Sequence, residues 1–231
     1  MNNGTKHTKG CVVVSIVLMA LFSASAFAQD KLTLSDGSII EYYLALPKVE
    51  TSSEWPLAVF MGGGSGNKPI SFEAYRFVGL ELAARGWAVV VPVSPDNRSF
   101  RGSNVAKVRE LMADLQSRDE IKEGKILLAG ISNGGMSALE IARQNPGDYL
   151  GVMAVPAVVR NNAQLDSLEG MPIYLRIGGE DQLGWAQQFD ETVERLEGFG
   201  VQLDAAILDG APHMFGMDWE RLEPWLDEVQ Q

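Results

Sequence analysis

The chain has 231 residues, 30 acids against 19 bases, and a net charge of −11. It is long enough to bury a sizeable core and too acidic to hold a phosphate backbone by bulk charge, so nucleic acid is not an expected partner and an anionic membrane surface is little better. A single cysteine and two histidines leave no pair for a disulfide and little for a metal site.

Lys6 and Lys9 give the chain a basic start, Cys11 to Phe22 is apolar, and Ala26-Phe27-Ala28 is a small-x-small cleavage pattern. This is the layout of a secretory signal peptide, expected to be cut after Ala28 and to direct the rest to the periplasm or the medium. The apolar run is too short to span a bilayer as a helix, although an uncleaved anchor is the alternative. Cys11 opens the run instead of following it, which is the wrong place for a lipid-bearing cysteine. The expected organisation is a leader at residues 1–28 and one domain at 29–231, with no stable membrane insertion once the leader is gone. Cutting there removes two lysines and no acid, so the net charge of −11 becomes −13. Cys11 and His7 leave with the leader. Thiol chemistry and multi-histidine metal sites go with them, no metal or other cofactor is expected, and any histidine base must be His213.

Lys31–Leu34 and Ser38–Leu46 flank Asp36-Gly37 and predict a hairpin. A polar connection, 47–56, leads to the apolar run Leu57–Met61, a buried strand ended by Gly62-Gly63-Gly64-Ser65-Gly66. Phe72–Ala84 reads as helix, Trp87–Val93 as strand, and Ser94–Gly102 as a polar loop. Val105, Val108, Leu111 and Leu115 recur at helical spacing. Strand Lys125–Ile131, helix Gly134–Gln144, and strands Tyr149–Val155 and Ile173–Ile177 follow. Trp185, Phe189, Val193 and Leu196 mark a helix face, then comes strand Val201–Leu208 and a last helix, Asp218–Val229. Continuous Val/Ile/Leu runs alternating with helices require a sheet covered on both faces. The fold class is α/β, a mostly parallel sheet of about eight strands with an antiparallel start. In such sheets reactive groups belong in loops at the carboxyl ends of strands.

Three strand ends carry the chemistry. Ser132 lies in Gly130-Ile131-Ser132-Asn133-Gly134, between a strand and a helix, where the chain must turn sharply and hold a hydroxyl at a helix N-terminus. The plainer reading is a tight turn with Ser132 as N-cap. A serine needs a base within reach, and His213 follows the last strand. The base needs an acid, and Asp181, in Gly178-Gly179-Glu180-Asp181, follows the strand between them, with Glu180 next in rank. A developing oxyanion needs fixed N–H donors. The backbone of Asn133 is one candidate and the glycine loop after Leu57–Met61 is the other. A phosphate cradle is the competing reading of that loop, but no Gly-Lys-Ser/Thr ending accompanies it.

The order Ser132, Asp181, His213 resembles that of the α/β-hydrolase superfamily, and the chain from residue 29 onward is similar to its small lidless members. These are the phospholipase/carboxylesterase and acyl-protein thioesterase types and the dienelactone hydrolases. The resemblance implies an α/β-hydrolase fold without a large cap, an acyl-enzyme on Ser132, and Gly63 as the second oxyanion donor. Two residues depart from it. These families usually have His-Gly where this chain has Met61-Gly62, so something else must hold the glycine loop. Dienelactone hydrolases usually carry cysteine where this chain has Ser132, which favours the carboxylesterase side.

The expected activity is hydrolysis of small carboxylic esters or thioesters by an exported enzyme. A peptidase or dienelactone-type hydrolase on the same fold, or a binding protein that has kept the fold, are the alternatives. Met61, Phe100, Met153, Trp185, Met214 and Phe215 are candidate pocket walls. Arg98 and Arg101 are candidates to grip a substrate carboxylate. Only Pro156–Met171 is available for a lid, too little for a cap. Oligomeric state is not legible.

Overall fold

The apolar runs read as strands pair into one eight-stranded sheet in the order β1-β2-β4-β3-β5-β6-β7-β8. The structure, a computed structural model, describes Met1 and residues 29–48, 52–160 and 164–231. The expected leader otherwise lies outside the described residues. β1 (Gln29–Thr33), β2 (Ile39–Ala45) and β4 (Ala88–Pro92) pair antiparallel. β3 (Leu57–Met61), β5 (Ile126–Gly130), β6 (Tyr149–Ala154), β7 (Pro172–Gly178) and β8 (Gln202–Leu208) run parallel.

Strand alternation sends side chains to two cores. Leu57, Val59 and Met61 face one, with Leu111 and Leu115 of α3 (Asn104–Gln116), Ala138 and Ile141 of α4 (Asn133–Gln144), and Leu196 of α5 (Phe189–Gly198). Ala58 and Phe60 face the other, with α1 (Lys68–Ala74), α2 (Leu80–Ala84) and α6 (Trp219–Val229). Each large apolar side chain buried this way contributes about 1.5–3 kcal/mol.

The helix expected over Phe72–Ala84 starts earlier and is not uniform. Asn67 caps it by accepting from the Ile70 N–H at 3.2 Å, and Pro69 sits in its first turn, where a missing N–H costs nothing. Between α1 and α2 the backbone opens into a π-turn, Tyr75–Gly79.

Strand order decides where the site lies. The chain steps outward from β3 to β4, then crosses back to β5, so the direction of winding reverses between β3 and β5. Such a reversal opens a crevice at the carboxyl ends. Met61 pairs with Gly130 there, which sets the glycine loop beside the Ser132 turn. Between β6 and β7 no cap rises among the described residues. Ala157, Val158, Leu165, Leu168 and Met171 pack into the core, and the described part holds one short turn, Asp166–Leu168. Among the described residues no helix is long and apolar enough to cross a membrane.

Candidate active site

Ser132 follows β5 with φ 55° and ψ −117°, a left-handed conformation that costs a non-glycine residue about 1–3 kcal/mol. The surroundings hold it there: its N–H donates to the Pro156 carbonyl at 2.8 Å, and the Met136 N–H donates to its own carbonyl at 3.0 Å. The flanking glycines are required by contact. A Cβ on Gly134 would run into the carbonyls of Met61 and Gly62, and one on Gly130 into the backbone of Gly134. Helix α4 therefore begins tight against the end of β3, with the hydroxyl raised above the sheet.

His213 Nε2 lies 3.0 Å from Ser132 Oγ, and its Nδ1 lies 2.6 Å from Asp181 Oδ2. With the carboxylate as acceptor the proton sits on Nδ1, leaving the Nε2 lone pair toward the serine. Asp181 is 6% exposed, and its other oxygen accepts from the Leu183 N–H at 2.7 Å. Backbone contacts bring the two loops together. Glu180 N–H donates to the Ala211 carbonyl at 2.9 Å, and a side chain on Gly178 would strike the carbonyls of Ala211 and Pro212. Glu180 itself is exposed. The Trp185 ring meets the imidazole edge to face, 4.9 Å between centroids.

Gly63 lies against the elbow: a Cβ there would sit 3.2 Å from the Ile131 carbonyl and 3.4 Å from Ser132 Cβ. Among the described residues, neither its N–H nor that of Asn133 donates to a protein acceptor. The loop is held from two sides. Gly66 N–H donates back to the Gly63 carbonyl at 2.9 Å, and buried Ser71 Oγ donates to the Gly66 carbonyl at 3.1 Å. From the elbow, Asn133 Nδ2 donates to the carbonyls of Gly64 at 2.7 Å and Arg98 at 3.1 Å. Asn133 thus supplies the tether that the missing histidine before the loop leaves open. The Arg98 turn is itself pinned by Asp96. Burial raises the Asp96 carboxyl pKa, but hydrogen bonds from Ser94 Oγ and the Arg98 N–H outweigh this and hold it below its ordinary value.

Beside Ser132 opens a cleft of 1080 Å³. Ile70, Ala74, Phe77 and Val78 form one wall, Met214, Phe215, Met217 and Trp219 another, and Leu183 stands at the rim. Phe77, Leu183 and Met214 are 69%, 60% and 59% exposed, three of the few large apolar side chains left to solvent. Trp219 is fixed by the Arg85 guanidinium, 3.9 Å above its ring.

The dienelactone hydrolase family model matches residues 97–224, more than half of the chain, a span that includes Ser132, Asp181 and His213. The chain belongs to the dienelactone hydrolase family. Serine in the place of the usual cysteine, which favoured the carboxylesterase side, does not take it out of that family. Solved structures of similar fold include a thermostable esterase (TM-score 0.65, 16% identity, 89% of this chain and 60% of that one). A phospholipase/carboxylesterase from Dyadobacter fermentans is similar at TM-score 0.58 and 19% identity, over 82% of this chain and 96% of that one. A carboxylesterase from Bacillus cereus is similar at TM-score 0.64 and 16% identity, over 82% and 94%. At such identities the likeness is one of fold. No curated protein matches the chain.

In this dienelactone hydrolase family member, two of the candidate pocket residues, Met214 and Phe215, line the cleft. Met61, Phe100 and Met153 do not: all three are buried in the cores. Met61 follows the alternation of β3 and points down with Val59, and Phe100 fills the space over Gly66. Trp185 packs on the imidazole and lies outside the cleft wall. Neither Arg98 nor Arg101 lines it. Sequence reasoning missed Ile70, Phe77, Val78, Leu183, Met217 and Trp219. Phe77 had a signal, being a large apolar residue out of phase with the buried stripe Tyr75, Val78, Leu82.

Proposed function

We propose that the protein is an exported serine hydrolase that cleaves small carboxylic esters or thioesters through an acyl-enzyme on Ser132. The observation that carries this reading is the continuous contact Asp181–His213–Ser132, at 2.6 and 3.0 Å, at the mouth of an apolar cleft. Ser132 Oγ attacks the carbonyl carbon as His213 Nε2 takes its proton, and Asp181 stabilises the imidazolium. The oxyanion is met by the N–H groups of Gly63 and Asn133. The tetrahedral species collapses as His213 returns the proton to the leaving oxygen or sulfur. Water, deprotonated by the same imidazole, then attacks the acyl-serine and releases the acid. The apolar walls favour uncharged acyl chains, each buried methylene adding about 0.8 kcal/mol.

The test is a fluorophosphonate probe, with p-nitrophenyl esters of increasing chain length assayed alongside. One label per chain on Ser132, lost in Ser132→Ala together with esterase activity, is expected. Labelling that survives Ser132→Ala would move the nucleophile elsewhere, and no labelling at all would favour a binding protein.

A further inference from the structure

On the other face of the sheet from the apolar cleft, at the same carboxyl edge, lies a smaller one of 310 Å³. Arg101, from the loop after β4, Arg143 on α4, and Arg160, from the segment after β6, converge on it. On α4 the lining residues are Met136, Leu139, Glu140 and Arg143, a stripe at i, i+3, i+4 and i+7 that forms one helix face. This is the helix that Ser132 begins. Arg101, which the sequence suggested as a grip for a carboxylate, therefore stands with two other guanidiniums and away from the apolar cleft.

Among the described residues six of the eleven arginines are ion-paired; of the five that are not, Arg76 and Arg98 lie elsewhere and the other three line this cleft. Arg85, Arg109, Arg118, Arg176, Arg195 and Arg221 each pair with an acid. Where acids outnumber bases 30 to 19, pairing is the expected condition of a guanidinium. Arg101, Arg143 and Arg160 make no ion pair among the described residues, although all three line one cleft. The carboxylate that shares it, Glu140, is engaged in accepting the Gly102 N–H at 3.1 Å, which holds the Arg101–Gly102 turn. Three charges against one leave the cleft net positive on a negative protein. Its floor is apolar, with Met136, Leu139 and Leu165.

We propose that this cleft is a binding site for a small organic carboxylate, the guanidiniums taking the carboxylate and the floor a short apolar body. Bidentate N–H pairs suit that head group, and the volume falls at the small end of small-molecule pockets, about 300–1,000 Å³. The class is the one that ester hydrolysis would release, but the site does not rest on the reading of Ser132.

The experiment is titration calorimetry of the Ser132→Ala protein with benzoate, benzyl alcohol and inorganic phosphate. Benzoate is expected to saturate, and benzyl alcohol and phosphate to bind at least about tenfold more weakly, as charge and apolar contact are both needed. Arg101→Gln/Arg143→Gln should raise the benzoate Kd at least about tenfold, and Arg221→Gln should leave it unchanged. Glu140→Gln, which removes the opposing charge, should tighten benzoate several-fold and gives a gain-of-binding test should the double variant fold poorly. Benzoate binding that survives the double variant, phosphate binding as tight as benzoate, or no saturable binding would each overturn the proposal. Ester hydrolysis is measured separately on the wild type, so the two readings fail independently.

Discussion

The side-chain amide of Asn133 reaches from the elbow to the Gly64 carbonyl at 2.7 Å, so the residue next to Ser132 also sets the height of the loop that faces it. Its second bond, to the Arg98 carbonyl at 3.1 Å, fixes the amide with its N–H₂ outward. Asn133→Ala keeps the backbone N–H but frees the loop. We expect kcat to fall about 10- to 100-fold with KM changed little, less than the 100- to 1,000-fold typical of losing an oxyanion donor outright. Asn133→Asp should be at least as damaging, because a carboxylate oxygen would then face two carbonyls. Steady-state kinetics on a short p-nitrophenyl ester decide this, and a change confined to KM would assign the amide to substrate contact.

Asp181 and its neighbour Glu180 differ in the one respect that matters for holding an imidazole. Asp181 is buried with both oxygens engaged, and Glu180 points to solvent. Asp181→Asn should lower kcat by about four orders of magnitude, since the amide favours the wrong imidazole tautomer. Glu180→Gln should remain near wild type. Circular dichroism of both variants should be unchanged. Equal losses would mean that the acid is shared.

The strands were legible to within a residue or two, because a two-sided parallel sheet demands uninterrupted apolar runs and loops with glycine at their ends. The meeting of Ser132, Asp181 and His213 was foreshadowed for a related reason: each follows a strand, and strand ends converge. The cleft walls were not. Helical period shows which face of Phe72–Ala84 is buried, but not that Phe77 leans toward Met214 across a gap between elements distant in sequence. Gly178 looked like one glycine of a turn, and only the packed structure shows the carbonyls of Ala211 and Pro212 occupying the place of its side chain. Met61, read as a candidate pocket wall, follows the alternation of β3 instead and lies in the core with Leu57 and Val59.

Val78 is the innermost residue of the α1–α2 wall, 5% exposed and bordering the cleft. Val78→Phe should shorten the acyl chain that fits. For each methylene excluded, kcat/KM should drop about fourfold, the factor corresponding to about 0.8 kcal/mol, while acetate esters are spared. A series of p-nitrophenyl esters measures this, and a uniform loss at every length would point to misfolding. Because the described residues between β6 and β7 form no cap, rates should also saturate smoothly through the solubility limit of a tributyrin-like ester.

Gln29, the first residue after the expected cut, opens β1 and pairs with Tyr43, its side chain donating to Glu41 at 2.8 Å. Intact mass of the protein recovered from the periplasm or medium should correspond to a chain starting at Gln29. A mass that includes Met1, found in the membrane fraction, would instead mean an anchor.

The π-turn at Tyr75–Gly79 is one residue richer than an α-helix of the same height requires. Deleting a single residue there would let the turn close to α geometry, leaving Ile70 and Ala74 nearly in phase with Leu82 but drawing back the widened turn that carries Phe77 and Val78. Those two residues belong to the wall of the apolar cleft. The width of the cleft is therefore written in the length of a helix as well as in its side chains, and a one-codon deletion would redraw it in a way that no point substitution can.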